Sequence, residues 1–416
     1  WIHWDAMHID GPSIVPVHRQ REDVATIVYS SGTGGTPKGC MLPHRAYLEQ
    51  YRSLSELFPM KPGDRYFSIL PTNHAIDFMI GFIAPFACGA TVVHQRTLRP
   101  EFITHTMKTC GITHMAVVPM LLESLERSIR EKLDDLPDWQ QTAMDGLAGI
   151  NAFFTRKSPK QKVSKHLLKP IHDAFGGHLK MLFCGGAFVD ADRAEFFYRL
   201  GLPVVIGYGL TEACTVVTAN DLKPFRADSV GRCVDGVQVR IINKNAHGVG
   251  EVQVHGPTLM LGYLDEPELT EAAFDGEWLR TGDLGQLDAS GHLHLVGRSK
   301  NMIVTAGGKN IYPEDIEHAF EPVPSEELVV FARNYLWPKK TMVNEELLLI
   351  IRPEDDEKQW LNTLRQHNHR LPDFKRISGY LIWDEAFPRT ASMKIKRNHL
   401  AETLRTHSSQ DDICPL

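Results

Sequence analysis

The stretch Ala25–Gly39 reads ATIVYSSGTGGTPKG, and how it is read decides the fold of the whole chain. Its first five residues, Ala25–Tyr29, are mostly β-branched or aromatic and predict a buried apolar strand. Ser30, Ser31, Gly32, Thr33, Gly34, Gly35, Thr36, Pro37, Lys38 and Gly39 follow without a break. Small residues let backbone N–H groups come close to an anion, hydroxyls add donors, and Lys38 adds positive charge, so the loop suits a run of phosphates. It is not a Walker loop, because no Gly-Lys-Ser/Thr follows, and it is not the dinucleotide GxGxxG. A plain flexible turn is the bland alternative. A run this long, placed directly after a strand, argues against it.

Outward from this segment, strands and helices alternate, which predicts α/β layers. A helix is expected over His44–Leu57, and strands at Tyr66–Leu70, Ala90–His94 and Met115–Val118. Phe78–Val93, interrupted by Pro85 and two glycines, is too short to span a bilayer and reads as a buried helix followed by a strand. Pro119 opens a helix whose Leu121, Leu125, Ile129 and Leu133 form one stripe, with Glu123–Arg127 and Glu126–Arg130 pairs on the wet side. The basic stretch Arg156–Lys169 is either a phosphate-seeking patch or a solvated helical face, and the second is expected. Lys180–Cys184 is a strand ending at Gly185–Gly186. Asp190 is a good N-cap for a helix that stops at Gly201, and Val204–Ile206 is another strand ending in glycine. Short strands and Gly/Asp turns fill Val237–Val296, and beyond Arg298 the pattern becomes mixed.

Length and composition set bounds. At 416 residues, two or three domains or subdomains are expected, and 43% hydrophobic with 23% charged residues is ordinary for a soluble globular protein. A net charge of −6 gives no general pull toward nucleic acid. The seven cysteines are scattered with no CxxC pair, which fits a reducing, cytoplasmic setting better than a disulfide framework. Trp1–Ile14 has neither a basic start nor a continuous apolar core, so no signal peptide is expected. His292 and His294 would share a strand face and read as two polar side chains rather than a metal pair.

Four further segments carry chemistry. Gly207-Tyr208-Gly209-Leu210-Thr211-Glu212 sits directly after a strand, where a carboxylate beside a hydroxyl suits magnesium near phosphate oxygens; Glu212 could also simply cap a helix. Thr281-Gly282-Asp283 offers either a turn residue or a two-oxygen acceptor for ribose hydroxyls. Gly297-Arg298-Ser299-Lys300 leads into Gly307-Gly308-Lys309-Asn310-Ile311-Tyr312-Pro313, where Arg298 is a surface cation or a phosphate clamp. Pro388–Arg397, PRTASMKIKR, is by composition only a basic turn.

In this order, from about Val24 to Arg397, the segments resemble the adenylate-forming superfamily of AMP-binding enzymes, and most of all its medium- and long-chain fatty acyl-CoA synthetases. The resemblance implies an α/β fold. Residues 1–299 would form a large N-terminal core of mixed sheets flanked by helices plus a β-rich subdomain, and 300–416 a small α+β C-terminal lid. It implies that Ser30, Ser31, Gly32, Thr33, Gly34, Gly35 and Lys38 hold the terminal phosphates of ATP. Gly185, Gly186 and Ala187 would border adenine, Tyr208 would pack on its ring, and Gly209 follows in the same motif. Thr211 would touch the phosphates, Glu212 the Mg2+, and Asp283 the ribose, with Arg298 nearby. Lys300 matches the hinge, Gly307, Gly308 and Lys309 the loop on the coenzyme A side, and Lys394 the lysine between the acid and the α-phosphate. His74 and Phe78 fall in the segment that lines the acid pocket. The implied activity is ATP-dependent conversion of a fatty acid to its adenylate and then to acyl-CoA, with ATP, Mg2+ and coenzyme A as cofactors.

Three departures stand out. Gly34 replaces a threonine in the phosphate loop. Met393 replaces a glycine before Lys394; a non-glycine residue avoids positive φ, so an altered turn is expected, with Lys396 as the weaker rival. The family carries a sizeable segment ahead of the phosphate loop, where only residues up to Tyr29 stand here, so a start cut short is expected. Two other readings stay open: an adenylating ligase that loads a separate carrier protein, and a non-catalytic nucleotide-binding homologue.

Overall fold

The computed structural model describes residues 17–30, 37–95, 97, 99–186, 189–304, 310–337, 346–354, 359–390 and 393–416. Its centre is a seven-stranded sheet. In spatial order the strands are Thr91–His94, Arg65–Ser68, His114–Val117, Met181–Gly185, Val204–Tyr208, Thr218–Ala219 and Arg232–Cys233. The first five run parallel; Thr218–Ala219 runs antiparallel to them and pairs antiparallel with Arg232–Cys233. Parallel strands are covered on both faces, which is why they read as unbroken apolar runs. Phe183 and Val205 point into one core, and Leu182, Cys184, Val204 and Ile206 into the other.

The first core is shared with two antiparallel sheets. One is Val24–Ser30, Lys38–Pro43 and Gly262–Tyr263; the other gathers Gln238–Ile242, Gly250–His255, Phe274–Asp275, Trp278–Leu287 and Leu293–Arg298. A four-stranded sheet follows in the C-terminal part: Ser325–Ala332, Leu347–Pro353, Ile377–Ile382 and Cys414–Pro415. Its strands alternate strictly: Leu347, Leu349 and Ile351 face one core, and Leu348 and Ile350 the other. This mixed α/β arrangement is the fold class expected from sequence.

Several local expectations hold. The helix spans His44–Leu57, and Asp190 caps the helix Ala191–Arg199 by accepting from the Arg193 backbone N–H at 2.9 Å. Gly201 takes φ +76° just past that helix. The Glu126–Arg130 pair forms at 2.7 Å, and Arg193 joins it on Glu126 at 2.8 Å. His292 is buried, accepting from Arg226 and reaching Asp221, each at 2.9 Å, so it serves an ion-pair network.

Two expectations need correction. The Ala25–Tyr29 strand is not buried. It is an edge strand in a hairpin with Lys38–Pro43, and Tyr29 is 64% exposed. Its β-branched composition signals a pleated strand but not how many faces are covered. Phe78–Val93 is not a fully buried helix either. It runs through a π-helical segment, Asp77–Ile83, into Ala84–Cys88, and Phe86 is 82% exposed. Phe78, Phe82 and Phe86 stack in sequence at 5.9 and 6.5 Å, so part of the apolar run forms an outward aromatic ladder.

Candidate active site

The carboxyl ends of the parallel strands gather several of the residues singled out above. In open α/β sheets ligands bind beyond these ends, at the point where the strand order reverses. Here the chain passes from Arg65–Ser68 outward to Thr91–His94 and then back across to His114–Val117. The Pro71–His74 turn follows the strand at that reversal. Gly185–Gly186 and Tyr208–Glu212 follow two others on the same side.

Backbone constraints at these ends are strict. Gly186 takes φ +92°. A Cβ on Gly209 would stand 1.4 Å from the Thr215 carbonyl oxygen, so no other residue fits without moving the turn. The chain then folds back through a short 3-10 turn, Thr211–Ala213, with Cys214 and Thr215 at φ +55° and +107°. Those strained conformations are held from outside. The Thr215 hydroxyl donates to the Ala75 carbonyl at 3.2 Å, and Gln50 accepts from the Val216 backbone N–H at 3.0 Å. Glu212 therefore sits in a turn rather than capping a long helix.

Glu212 is oriented by Tyr263, whose hydroxyl donates to it at 3.0 Å. The Lys38 ammonium lies 5.0 Å from the centre of the Tyr263 ring. Burial first, and then the Glu212 charge, push the Cys40 thiol up to about 12, so Cys40 packs as an inert neutral group. The Ser30 hydroxyl, beside that thiol, is buried and among the described residues makes no hydrogen bond of good geometry. The outgoing end of the glycine-rich loop and Glu212 thus share one neighbourhood. Ser31, Gly32, Thr33, Gly34 and Gly35 lie outside the described residues, as does Ala187.

Asp283 is buried on the strand Trp278–Leu287, opposite Arg298 on the neighbouring strand. Tyr208 donates to one carboxylate oxygen at 2.8 Å, and Arg298 pairs with the other at 2.9 Å. Burial and the Asp283 charge hold the Tyr208 phenol well above its usual range, so it stays a donor. A carboxylate has about four lone-pair sites, so each Asp283 oxygen keeps capacity for one hydroxyl. This is a positioned acceptor rather than a turn residue.

Lys394 comes to the same place from the far end of the chain. Arg389 and Ile395 form a bridge, and hydrogen bonds among the described residues tie the turn between them, the Lys394 N–H to the Thr390 hydroxyl at 3.2 Å among them. Thr390 N–H donates to Lys394 O at 2.8 Å, Met393 N–H to Thr390 O at 2.9 Å, and the Arg389 guanidinium to Met393 O at 2.6 Å. Arg389 is itself clamped by Glu327 at 2.6 and 2.9 Å. Met393 takes φ +65°, which corrects the expectation that a non-glycine residue would abandon that conformation. The tied turn imposes it. Lys394 is an exposed residue, yet the surroundings of its ammonium lower its pKa, first by desolvation and then through Arg298; Asp283 and Glu212 oppose that shift. Arg298, Asp283 and Glu212 are near enough for their charges to act on Lys394.

His74 completes the cluster. Desolvation and then the Lys394 charge lower its pKa, so the ring is neutral near pH 7 and does not repel that lysine. Its ring makes no hydrogen bond among the described residues, unlike a histidine locked in a core. Phe78 packs edge-on to Tyr47 at 5.8 Å. Lys300 is exposed in the turn after the Leu293–Arg298 strand, and Gly307, Gly308 and Lys309 lie outside the described residues. A cavity of about 400 Å³ opens elsewhere, between the helices Pro119–Asp134, Asp138–Thr155 and Ala191–Arg199, and shares none of these side chains.

Two residues were missed from sequence. Asp77 is fully buried, and its carboxylate accepts from Ser68 at 2.8 Å, Thr72 at 3.0 Å and Tyr66 at 3.3 Å; burial raises its pKa. It ties the π-helical segment behind His74 to the strand end. An aspartate within an apolar run was the available signal. Tyr263 had none, because its partner lies 51 positions away.

Together the walls present acceptors (Glu212, Asp283) and cations (Lys394, Arg298, with Lys38 beyond Tyr263). That charge pattern suits a polyphosphate brought against a second anion. Comparisons with known proteins agree. The AMP-binding enzyme family matches residues 4–264. A Mycobacterium tuberculosis protein whose name places it among fatty-acid–CoA ligases, fadD11, is 30% identical over 314 residues, covering 72% of this chain and 54% of its own. The mouse long-chain-fatty-acid–CoA ligase ACSBG1 is 29% identical over 346 residues, covering 75% of this chain and 46% of its own. ATP-bound MatB from Rhodopseudomonas palustris superposes with a TM-score of 0.72 at 25% identity, covering 94% of this chain and 70% of its own. The chain spans about half the length of the curated relatives it matches. By sequence and by fold, this chain belongs to the AMP-binding enzyme family.

Proposed function

We propose that this protein activates a carboxylic acid of fatty type with ATP and then transfers the acyl group to coenzyme A. The observation that carries the reading is that Lys394, from the C-terminal part, lies close enough to Glu212 and Asp283 for their charges to act on it, and close enough to His74 to act on that ring. A carboxylate resists attack at carbon, because resonance and charge protect it. Its oxygen instead attacks the α-phosphorus of ATP; the bond to pyrophosphate breaks, and the acid becomes a mixed anhydride with AMP. Two anions must meet for this, so cations are needed at the meeting point.

In this reading Lys394 neutralises charge between acid and α-phosphate, and neutral His74 orients the acid beside Phe78. Asp283 takes the ribose hydroxyls, with Tyr208 holding Asp283 in place and Arg298 beside it. Ser30, the loop through Gly35, and Lys38 hold the terminal phosphates, and Gly185–Ala187 border the base. Glu212 with Thr211 would hold Mg2+, which when bound screens the phosphate charge. Residues 300–416 then act as a lid that turns near Lys300, withdraws Lys394 and brings Gly307–Lys309 toward the acyl carbon. The thiolate of coenzyme A attacks that carbon, and AMP leaves with its bonding electron pair. The family, the ligase names of the relatives and the ATP-bound neighbour support this reading.

The test is exchange of labelled pyrophosphate into ATP by the full-length protein, over a panel of acids of increasing chain length. Exchange that depends on the acid, and thioester formation on added coenzyme A, are expected. Absence of exchange with every acid of the panel, from a preparation that is folded and binds ATP, would refute the reading. Acyl transfer only to a carrier protein would replace its second half.

A further inference from the structure

We propose that the helix Asp138–Thr155 and the basic segment after it form a peripheral docking surface for an anionic lipid bilayer. The helix touches the rest of the fold through Ala148, Asn151 and Thr155, which are buried. Its other side is apolar and open. Trp139, Ala143, Gly146, Ile150 and Phe153 recur at alternating four- and three-residue steps, which places them on one face, and Phe154 flanks it. Trp139 is 70% exposed and Phe153 65%, with Ile150 and Phe154 about half exposed. A Cβ on Gly146 would meet no atom within 4 Å. Scattered exposed apolar residues need no explanation, but a continuous stripe on one helix does.

What sits beside the stripe selects the occupant. Between Gly146 and His172 the chain carries six Lys and Arg and no Asp or Glu, although its net charge is −6. Arg156, Lys157, Lys160 and Lys162 are exposed, and none makes an ion pair among the described residues. The Arg156 guanidinium lies 5.7 Å from the Phe153 ring centre, and Phe153 and Phe154 pack edge-on at 5.7 Å. Open aromatics flanked by unpaired cations match a headgroup–acyl boundary, where rings enter the apolar edge and cations meet lipid phosphates. The Asp134, Asp135 and Asp138 carboxylates at the opposite end of the helix would hold the Trp139 end off an anionic surface. Contact therefore centres on Ile150–Lys162. Among the described residues no helix is long and apolar enough to cross a membrane, so this surface lies on the bilayer rather than in it.

The experiment is co-sedimentation of the full-length protein with vesicles of phosphatidylcholine alone and of phosphatidylcholine mixed with phosphatidylglycerol, at low and high salt. Binding to the mixed vesicles at low salt, weakened by salt, is expected. Each cation near the surface is worth about 1 kcal/mol, or roughly fivefold in partition. Lys157→Ala should therefore weaken binding about fivefold, and the Phe153→Ser/Phe154→Ser pair should lower it on the same vesicles. Both variants change exposed positions away from the cleft and should keep the wild-type circular dichroism and pyrophosphate exchange. Failure to bind mixed vesicles at low salt would overturn the proposal. So would binding that the Phe153→Ser/Phe154→Ser pair leaves unchanged and that heparin reproduces, which would mark a general polyanion patch. Self-association lost in that pair, without vesicle binding, would instead mark an interface between copies of the chain.

Discussion

Met393 offers a sharp test, because its backbone conformation and its neighbour's role pull in different directions. At φ +65° its Cβ crowds the following carbonyl, which costs about 1–2 kcal/mol for a residue other than glycine. Met393→Gly removes that cost but adds unfolded-chain freedom worth about 0.4–1 kcal/mol relative to alanine. Met393→Ala removes the same side chain beyond Cβ and keeps the strain. The glycine variant should thus be more stable than the alanine variant by about 0.8 kcal/mol, the difference between the midpoints of those two terms. Urea unfolding of both, side by side, measures it. The hydrogen bonds of the turn and the Arg389–Glu327 clamp should hold Lys394 in place in either variant, so both should keep most of the exchange activity. Equal stability, or an alanine variant more stable than the glycine one, would show that the turn does not strain residue 393.

Two other perturbations follow from geometry. Gly209→Ala places a methyl group 1.4 Å from the Thr215 carbonyl oxygen, and a thermal melt should show a loss of about 3 kcal/mol or more, with exchange activity gone. His318, on the helix Pro313–Ala319, faces Glu321 at 3.3 Å and, across to the N-terminal part, Asp190 at 3.7 Å. Glu321 first, and then Asp190, raise its pKa above 6.5. A raised histidine pKa gives stabilisation that is complete below the unfolded value and fades as pH rises through the folded one. Stability should therefore fall as pH rises from about 6.5, by less than about 1 kcal/mol because the ring is partly exposed and screened, and melts across that range read it. The His318→Gln variant should lose that slope, and an unchanged slope would remove His318 from the link.

How much was legible in the sequence followed the range of the interactions. The helix His44–Leu57 and the Asp190 cap rest on neighbours a few positions away and could be read directly. The parallel strands showed as apolar runs because both faces are covered. The Lys38–Pro43 strand did not show, since KGCMLP has no alternation and its pairing is set by the hairpin. The burial of Ala25–Tyr29 was misjudged because an edge position belongs to the whole sheet and leaves no local mark. Within the candidate site, segments set off by glycine and hydroxyl residues at strand ends could be seen. Their support by Tyr263, Gln50 and Asp77 could not, since those contacts close only when the sheets pack. Arg156–Lys169 read as a solvated face, and Arg156, Lys157, Lys160 and Lys162 are indeed exposed; the open aromatic stripe beside them left no mark in charge alone.

The most direct measurement compares Lys394→Ala with Lys396→Ala in both half-reactions, adenylate formation and thioester formation from supplied acyl-adenylate. Loss of a single electrostatic contact of this kind slows a step by about 10²–10³. Lys394→Ala should lose that much in adenylate formation alone, with ATP binding and the second half-reaction near wild type, and Lys396→Ala should lose little. Adenylate formation that survives Lys394→Ala, or falls equally with Lys396→Ala, would contradict a cleft in which Lys394 closes over the reacting acid.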